Sequence, residues 1–246
     1  MKTFRYLLVL ICCCSFLVPE QPRLRIFMAG DSTMQLYDTL NTPQRGWGQV
    51  FGACFKQNVE IHDLARGGRS TRSFKAEGHW LGLLNQLRKD DWVIIEFGHN
   101  DHDKRKPERY TTPEEYKNNL IAMIGDVRAK GANPIILTPI AMRNFDKNGI
   151  YHDGHGLYPA EAKKAAQICN VPVLDIDSLF AKEIIQLGPE KSKALFMNFG
   201  PGLYKAYPEG KTDNTHLRLS GAKMVAGIVA SAIKSQKISP IDTYIL

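Results

Sequence analysis

The feature that most constrains this chain is a repeated pattern of short apolar, β-branched runs separated by stretches with helical spacing. The runs cover residues 24–29, 59–64, 92–97, 134–138 and 171–176. Alternation of this kind is typical of βαβ units, in which helices cover a parallel sheet on both faces. The sequence therefore predicts an α/β fold with three layers, α/β/α.

The segments between these runs carry helix signals. Residues 112–115 read Thr-Pro-Glu-Glu, which supplies an N-cap, a proline at the first helical position and acids in the first turn. Gly131 predicts the end of that helix. A last helix is predicted over about residues 219–234, where apolar side chains recur on one face. No linker-like stretch interrupts the pattern, so residues 21–246 are predicted to form a single domain.

The first residues predict export. Lys2 and Arg5 precede an uncharged run over residues 7–18, which is too short to span a bilayer but has the length of a signal-peptide core. Residues 1–20 are therefore predicted to be a signal segment and the protein to be periplasmic or extracellular, without a membrane span. The cysteines at 12–14 raise the alternative of a lipid anchor, which the large residues before them disfavour.

Two cysteines, Cys54 and Cys169, lie in the predicted mature chain, and both fall within apolar helical patterns. A disulfide and two buried thiols are both consistent with that placement. The formal net charge is +7 and the pI is about 9.1, which favours an anionic partner. Basic and aromatic residues do not interleave in any segment, so no nucleic-acid module is predicted.

Three of the predicted strands run into motifs rich in glycine, acids and amides. These are Gly-Asp-Ser-Thr at 30–33, Ala-Arg-Gly-Gly-Arg-Ser at 65–70 and Gly-His-Asn-Asp at 98–101, and a fourth motif, Thr-Asp-Asn-Thr-His, occupies 212–216. Ligands of open α/β sheets bind at the carboxyl ends of the strands. Ser32 is therefore placed to act as a nucleophile, although serine here is also a common helix cap.

These residue types fit the requirements of acyl transfer. Ser32 needs a base such as the imidazole of His216, and Asp213, three residues earlier, can orient that ring. A developing oxyanion needs aimed donors, for which the backbone N–H groups of Ser32 and Gly68 and the amide of Asn100 are candidates. Each residue taken alone also has a structural explanation as a turn, a cap or an ordinary surface or core side chain.

Together and in this order, the four motifs resemble the four blocks of the SGNH, or GDSL, hydrolases over about residues 25–235. More narrowly, they resemble the rhamnogalacturonan acetylesterase branch. The resemblance implies a flavodoxin-like parallel sheet of five strands and deacetylation of an acetylated, acidic pectic polysaccharide, with no cofactor. It also implies Ser32, Asp213 and His216 as the catalytic triad, and Ser32, Gly68 and Asn100 as the oxyanion hole.

Substrate contacts are predicted for a set of basic and aromatic residues near the motifs: Trp47, Arg69, Arg72, His102, Arg143 and His155. The long irregular segments 144–158 and 198–215 follow predicted strands or helices on the side where the Ser32 loop emerges, and long loops at such places are frequently functional.

Other functions are also consistent with parts of the sequence. Histidines and acids at 99–102 and 152–155 raise the alternative of a metallophosphoesterase, which a chelator would inactivate. The early Asp-x-His pair and the Gly-Asp-x-x-Asp block of such sites are absent from the sequence, so no metal is predicted. Two alternatives remain: an esterase or lipase for another acyl ester, such as acetylated xylan or a lipid, and a carbohydrate-binding protein with an inactive site.

Overall fold

The structure, a computed structural model, describes residues 24–56 and 58–246. The predicted signal segment, with its cysteines at 12–14, lies outside the described residues. The strands are β1 (Leu24–Gly30), β2 (Val59–Asp63), β3 (Trp92–Glu96), β4 (Asn133–Leu137) and β5 (Val173–Leu174). The helices are α1 (Gly48–Phe51), α2 (Thr71–Ala76), α3 (His79–Leu84), α4 (Pro113–Ala129), α5 (Tyr158–Cys169), α6 (Ile176–Lys191) and α7 (Leu219–Ser235).

The five strands form one parallel sheet in the order β2-β1-β3-β4-β5. This is the flavodoxin-like order, so the fold predicted from the sequence is confirmed. The order in which successive strands are added to the sheet reverses at β1, because β2 lies on one side of it and β3 on the other. Ligands of such folds bind where the strand order reverses, outside the carboxyl ends of the strands.

Alternation along β1 explains the three layers. Phe27 and Ala29 belong to one apolar cluster, while Ile26 and Met28 belong to the other, because successive side chains of a strand point to opposite faces. Helices α3, α4 and α5 supply the first cluster, and α1, α6 and α7 supply the second. Burying each large apolar side chain contributes about 1.5–3 kcal/mol to folding. The sheet is therefore held from both sides.

The predicted start of α4 is confirmed. The Thr112 hydroxyl accepts the Glu115 N–H at 3.2 Å, and the Glu115 carboxylate accepts the Thr112 N–H at 2.7 Å. This reciprocal cap, with Pro113 at the first helical position, fixes where the helix begins. Gly131 follows the helix with a φ of 72°, as its predicted role at the end requires.

Strand β5 is shorter than the predicted run over 171–176. Pro172 has no N–H to donate to the sheet, and Asp175 caps α6 by accepting the Ser178 N–H at 3.4 Å. The cap draws Ile176 into the helix, so only Val173 and Leu174 remain in the strand. The other strand ends agree with the sequence to within one residue.

Cys54 and Cys169 are free thiols, and both are half-buried. Cys54 packs against the cluster that contains Ile26, whereas Cys169 packs against the cluster that contains Phe27. The sheet lies between them, which rules out a disulfide joining these two cysteines. Within the described residues, no helix combines the length and apolar character needed to cross a bilayer.

Candidate active site

A cavity of about 510 Å³ opens at the carboxyl ends of β1 and β3. All four sequence motifs contribute to its lining, through Ser32, Gly68, Asn100 and His216. The sheet order makes this convergence possible, because β1 and β3 are neighbours and their following loops leave at the same edge.

Ser32, His216 and Asp213 form a continuous hydrogen-bonded chain on the cavity wall. The distance from Ser32 Oγ to His216 Nε2 is 3.0 Å, and the distance from His216 Nδ1 to Asp213 Oδ2 is 2.8 Å. Both lie within the range needed for direct proton transfer and ring orientation. The arrangement therefore has a hydroxyl, a base in contact with it and a carboxylate on the far side of the base.

The Asp213 carboxylate is fixed by its own turn. Its Oδ1 accepts the backbone N–H groups of Thr215 at 3.0 Å and His216 at 2.9 Å, while Lys211 Nζ lies 3.4 Å from Oδ2. Burial alone would raise the pKa of Asp213, but the hydrogen bonds from the His216 side chain and these N–H groups hold it well below its ordinary value. The carboxylate consequently stays ionised beside the imidazole.

The loop that carries Ser32 is held by its neighbours. Asp31 accepts the Thr33 N–H at 2.9 Å, and the Tyr37 hydroxyl donates to the Ser32 carbonyl at 2.7 Å. The Gln35 side chain accepts the N–H of Gly67, which ties this loop to the glycine motif after β2. These contacts position the Ser32 hydroxyl and the glycine motif relative to each other.

Two backbone donors in the cavity lining remain unused. The N–H groups of Ser32 and Gly68 make no hydrogen bond to any residue in 24–56 or 58–246. Gly68 has a φ of 77°, and a Cβ there would lie 3.3 Å from Arg109 Nη1, so this position favours glycine. Asn100 Nδ2 donates to the Arg69 carbonyl at 2.9 Å and lies 3.3 Å from Asp31 Oδ2. The cavity lining thus offers two free backbone N–H groups and the Asn100 amide, whose N–H groups already have acceptors in the structure.

Asp101 joins the loops after β2 and β3 beneath the cavity. Its carboxylate is fully buried and accepts the Thr71 N–H at 3.1 Å and the Thr111 hydroxyl at 2.9 Å. Burial raises the pKa of Asp101 to about 7, although the hydrogen bonds from Thr71 and Thr111 oppose the shift. Through these contacts, Asp101 fixes the position of its neighbour Asn100 relative to the start of α2.

Two further buried acids, Asp31 and Glu96, lie close together beside the Ser32 loop. The Thr33 hydroxyl lies 3.0 Å from Asp31 Oδ1 and 3.2 Å from Glu96 Oε1. Its single proton can serve only one acceptor at a time, so the pair is best satisfied when one of the two acids is protonated. Burial, and then the nearby charge of Asp31, raise the pKa of Glu96 to about 8.

These buried acids contribute a stabilisation that is lost as the pH rises from about 5 to about 8. Glu96, with an ordinary pKa of 4.5, binds its proton more tightly folded than unfolded, so raising the pH through that interval favours unfolding. Asp101 acts in the same direction. The lowered pKa of the buried His99 acts in the opposite direction over the same interval, because the unfolded chain binds a proton there that the folded chain does not. We therefore expect the contribution of the acids to appear in the slope of the free energy of unfolding in urea against pH when an acid is removed.

The Glu96→Gln variant separates the contribution of Glu96 to the pH dependence of stability from those of the other titrating groups. The amide cannot ionise, so the slope of stability against pH should flatten between pH 5 and 8. The free energy of unfolding should also fall at every pH. Trp47 and Ile140 each donate an N–H to Glu96, and the NH₂ group of glutamine would face one of these two donors with no acceptor between them. An unchanged slope would show that Glu96 does not carry the pH dependence.

The histidines near the cavity form their own network. His99 Nδ1 lies 3.1 Å from His155 Nε2, and His155 Nδ1 lies 3.3 Å from Asp177 Oδ1. Burial holds the pKa of His99 well below its ordinary value, so this ring is neutral. Two groups among the described residues bring three potential metal ligands within 4.8 Å: Asp31, Glu96 and His99, and separately Asp153, His155 and Asp177.

The histidines and the tryptophan predicted to contact substrate differ in placement. His102 lines the cavity, whereas His155 is buried and packs edge-on against His99. Trp47 is fully buried, and its indole N–H donates to Glu96 at 2.8 Å. The prediction for Trp47 is therefore wrong, because its polar atom is used to satisfy a buried acid and its ring lies in the core.

The three arginines predicted to contact substrate point to other partners. Arg69 donates to Glu77 at 2.8 Å, and Arg72 donates to Glu115 at 3.0 Å. Arg143 is nearly buried and donates to the Asn214 side chain at 2.9 Å, bracing the loop that carries Asp213. None of the three lines the cavity, so contact of these arginines with the substrate stays a prediction.

The sequence interpretation missed a charged wall of the cavity. Asp103, Arg105 and Arg109 line it, on the segment between β3 and α4. This segment is rich in charge, and such runs ordinarily form solvated surface, so the pattern alone gave no reason to single it out. The one available signal was its position directly after the Gly-His-Asn-Asp motif.

Comparison with known proteins gives the same family as the motifs. The profile of the GDSL-like lipase/acylhydrolase family matches residues 28–192. The rhamnogalacturonan acetylesterase RhgT of Bacillus subtilis is 37% identical over 211 residues, covering 86% of this chain and 90% of that protein. A rhamnogalacturonan acetylesterase of Emericella nidulans is 27% identical over 237 residues, covering 88% of this chain and 87% of that protein.

Solved structures share the fold. The crystal structure of the protein YxiM of Bacillus subtilis superposes with a TM-score of 0.75 at 27% identity, covering 90% of this chain and 58% of that one. An acetylxylan esterase of Geobacillus stearothermophilus superposes with a TM-score of 0.64 at 17% identity, covering 86% of this chain and 94% of that one. At 17% identity, the similarity to the acetylxylan esterase shows a shared fold only.

Proposed function

The chain belongs to the GDSL-like lipase/acylhydrolase family and is a carboxylic ester hydrolase, and from this premise we propose that it removes acetyl groups from a pectic polysaccharide of the rhamnogalacturonan type. The observation that carries the proposal is the contact of Ser32 Oγ with His216 Nε2 at 3.0 Å, in a cavity with unused N–H donors. The names of the relatives RhgT and the Emericella nidulans enzyme support the choice of substrate.

In the proposed first step, Ser32 Oγ attacks the acetyl carbonyl while His216 Nε2 takes the hydroxyl proton. Asp213 keeps the imidazole in the tautomer that leaves Nε2 free to accept, and it stabilises the imidazolium that forms. Negative charge develops on the carbonyl oxygen, where the N–H groups of Ser32 and Gly68 and the Asn100 amide donate. His216 then passes its proton to the departing sugar oxygen, which leaves an acetyl group on Ser32.

The second step repeats this geometry with water. His216 removes a proton from a water molecule, the resulting nucleophile attacks the acetyl carbonyl, and the same donors stabilise the second tetrahedral intermediate. Collapse returns the proton from His216 to Ser32 Oγ and releases acetate. All the groups that this cycle needs are supplied by the protein and by water, so the proposed reaction uses no cofactor.

Asn100→Ala is expected to lower kcat by about a hundredfold, with a much smaller change in KM. Its amide would donate to the oxyanion, a charge present in the transition state and absent from bound substrate. The measurement is steady-state hydrolysis of an aryl acetate. Asn85→Ala, at an exposed position after α3, is the matched control and should retain wild-type rates. A loss of less than about threefold for Asn100→Ala would remove it from the oxyanion site.

Substrate identity is tested by acetate release from acetylated rhamnogalacturonan, acetylated homogalacturonan, acetylated xylan and long-chain aryl esters, with Ser32→Ala as the blank. The proposal expects the highest kcat/KM on acetylated rhamnogalacturonan. Faster release from acetylated xylan, or a preference for long acyl chains, would point to the alternative of an esterase or lipase for another acyl ester. Retained polysaccharide binding without any hydrolysis would support a carbohydrate-binding role.

A polymeric substrate of this kind lies outside the cell, which agrees with the predicted export of the chain. We therefore propose that residues 1–20 act as the signal segment and that residues 21–246 work as one periplasmic or extracellular domain. Sequencing the N-terminus of the exported protein would test this.

A further inference from the structure

One wall of the cavity carries two arginines and a single acid. Arg105, Arg109 and Asp103 all come from the segment between β3 and α4. We infer that the two guanidinium groups bind the carboxylate of a uronic acid residue, so that the enzyme selects acetyl esters on free uronates over those on their methyl esters. This inference rests on the proposed function and names the part of the substrate that the site would recognise.

The charge on this wall is unbalanced. Asp103 Oδ1 accepts Arg105 Nε at 2.7 Å, and Asp103 Oδ2 accepts Nη2 of both Arg105 and Arg109 at 3.2 Å. One carboxylate cannot neutralise two guanidinium groups, so a net positive charge remains. Asp213, the other acid that lines the cavity, lies 3.4 Å from the Lys211 ammonium, which balances its charge. An anionic group on the substrate would complete the balance.

Both arginines have donors left after these contacts. Arg105 Nη1 has no acceptor among the described residues, and the Arg105 side chain is 88% exposed. Arg109 Nη1 donates to the Gly68 carbonyl at 3.1 Å and Nη2 donates to Asp103, which leaves one N–H on each Nη, whereas the buried Nε is out of reach of a ligand. Guanidinium groups bind carboxylates through paired, charge-assisted hydrogen bonds. The unused donors are therefore of the type that a uronate would satisfy.

The wall is also in the right place. Through its contact with Gly68, Arg109 adjoins the proposed oxyanion donors. A uronate carries its acetyl ester and its carboxylate on one sugar ring, so both groups can enter the same cavity of about 510 Å³. A methyl ester in place of the carboxylate would remove the charge that the arginines recognise. Hydrolysis of methyl esters on the polymer must then precede efficient deacetylation by this enzyme.

The test compares inhibition of aryl acetate hydrolysis by unacetylated oligogalacturonate and by its methyl ester. Wild-type enzyme should bind the free acid about tenfold more tightly than the ester, the expected scale for a charge-assisted contact. Arg105→Gln should close that gap. Lys104→Gln removes the same charge from the next residue, which is exposed and does not line the cavity, and should leave the gap unchanged. Arg105 is chosen because Arg109 also holds Gly68.

Equal inhibition by acid and ester in the wild-type enzyme would overturn the inference, as would equal effects of Arg105→Gln and Lys104→Gln. A second measurement compares acetate release from acetylated homogalacturonan before and after methyl-ester removal, where the inference expects faster release afterwards. Because the inhibition assay needs no deacetylation of polysaccharide, it reads out the carboxylate site even if the pectic substrate proposed above is wrong.

Discussion

Ser32→Ala is expected to lower kcat for aryl acetate hydrolysis by about 10⁴-fold or more, the scale seen when a nucleophile is removed from a unit of this kind. The reason is that the hydroxyl is the only protein group in the proposed cycle that bonds to the acetyl carbon. The measurement is initial-rate hydrolysis with excess enzyme, so that a residual rate can be quantified.

Loss of folding should not complicate this result. The Ser32 hydroxyl makes its hydrogen bond to His216, whereas the loop is held through the Ser32 carbonyl and through Asp31 and Gln35, which the substitution leaves intact. Thermal unfolding of Ser32→Ala should match that of wild type. A variant that retains more than about a tenth of wild-type activity would end the serine mechanism.

Asp213→Asn is expected to lower kcat by about 10⁴-fold, as for the corresponding carboxylate of other Ser-His-Asp sites. The amide oxygen can still accept the backbone N–H groups of Thr215 and His216, so the turn should persist. Its N–H₂ group would then face His216 Nδ1 and force the ring into the tautomer that protonates Nε2. A base already protonated at Nε2 cannot take the Ser32 proton.

The pH profile distinguishes this role from simple loss of structure. Because the pKa of Asp213 lies well below its ordinary value, the carboxylate is ionised throughout the working range, and it should not define the acid limb of kcat/KM. In Asp213→Asn, hydrolysis should recover with rising pH as hydroxide replaces the base. A variant that follows the wild-type profile at wild-type rates would contradict the assignment.

The sequence predicted the sheet well because its signals are local and strong. Buried parallel strands such as β3 are continuous apolar runs, and the cap at Thr112 reports the start of α4 through residues that are adjacent in the chain. Strand β5 was overestimated because its length depends on competition with the Asp175 cap, which apolar pattern alone does not weigh.

The candidate site divides in the same way. Ser32, Gly68, Asn100, Asp213 and His216 were found because they occur in ordered motifs, and the structure brings all of them to one cavity. Residues that depend on three-dimensional partners were not found. Trp47 was among the residues predicted to contact substrate, yet a buried acid 49 positions away determines its use.

Glu96 is the clearest omission. The apolar run Trp-Val-Ile-Ile-Glu-Phe contains one acid near its end, which is unusual for a buried strand. Burying a carboxyl group costs free energy unless it is hydrogen-bonded, so its presence there indicates a specific partner. What the sequence could not provide was the partner itself, since Thr33 lies 63 positions away and Trp47 on a separate loop. The arginine wall was missed for the opposite reason, because charged loops are common and mostly serve solubility.

The Asp213–His216 turn has an evolutionary consequence. The base and its carboxylate are separated by three positions and are fixed by N–H groups of those same positions, whereas Ser32 reaches them from 184 positions away. An insertion or deletion inside the turn would break both contacts at once. During evolution the surrounding loops can therefore be exchanged or lengthened, whereas residues 213–216 must keep their spacing if the site is to remain active.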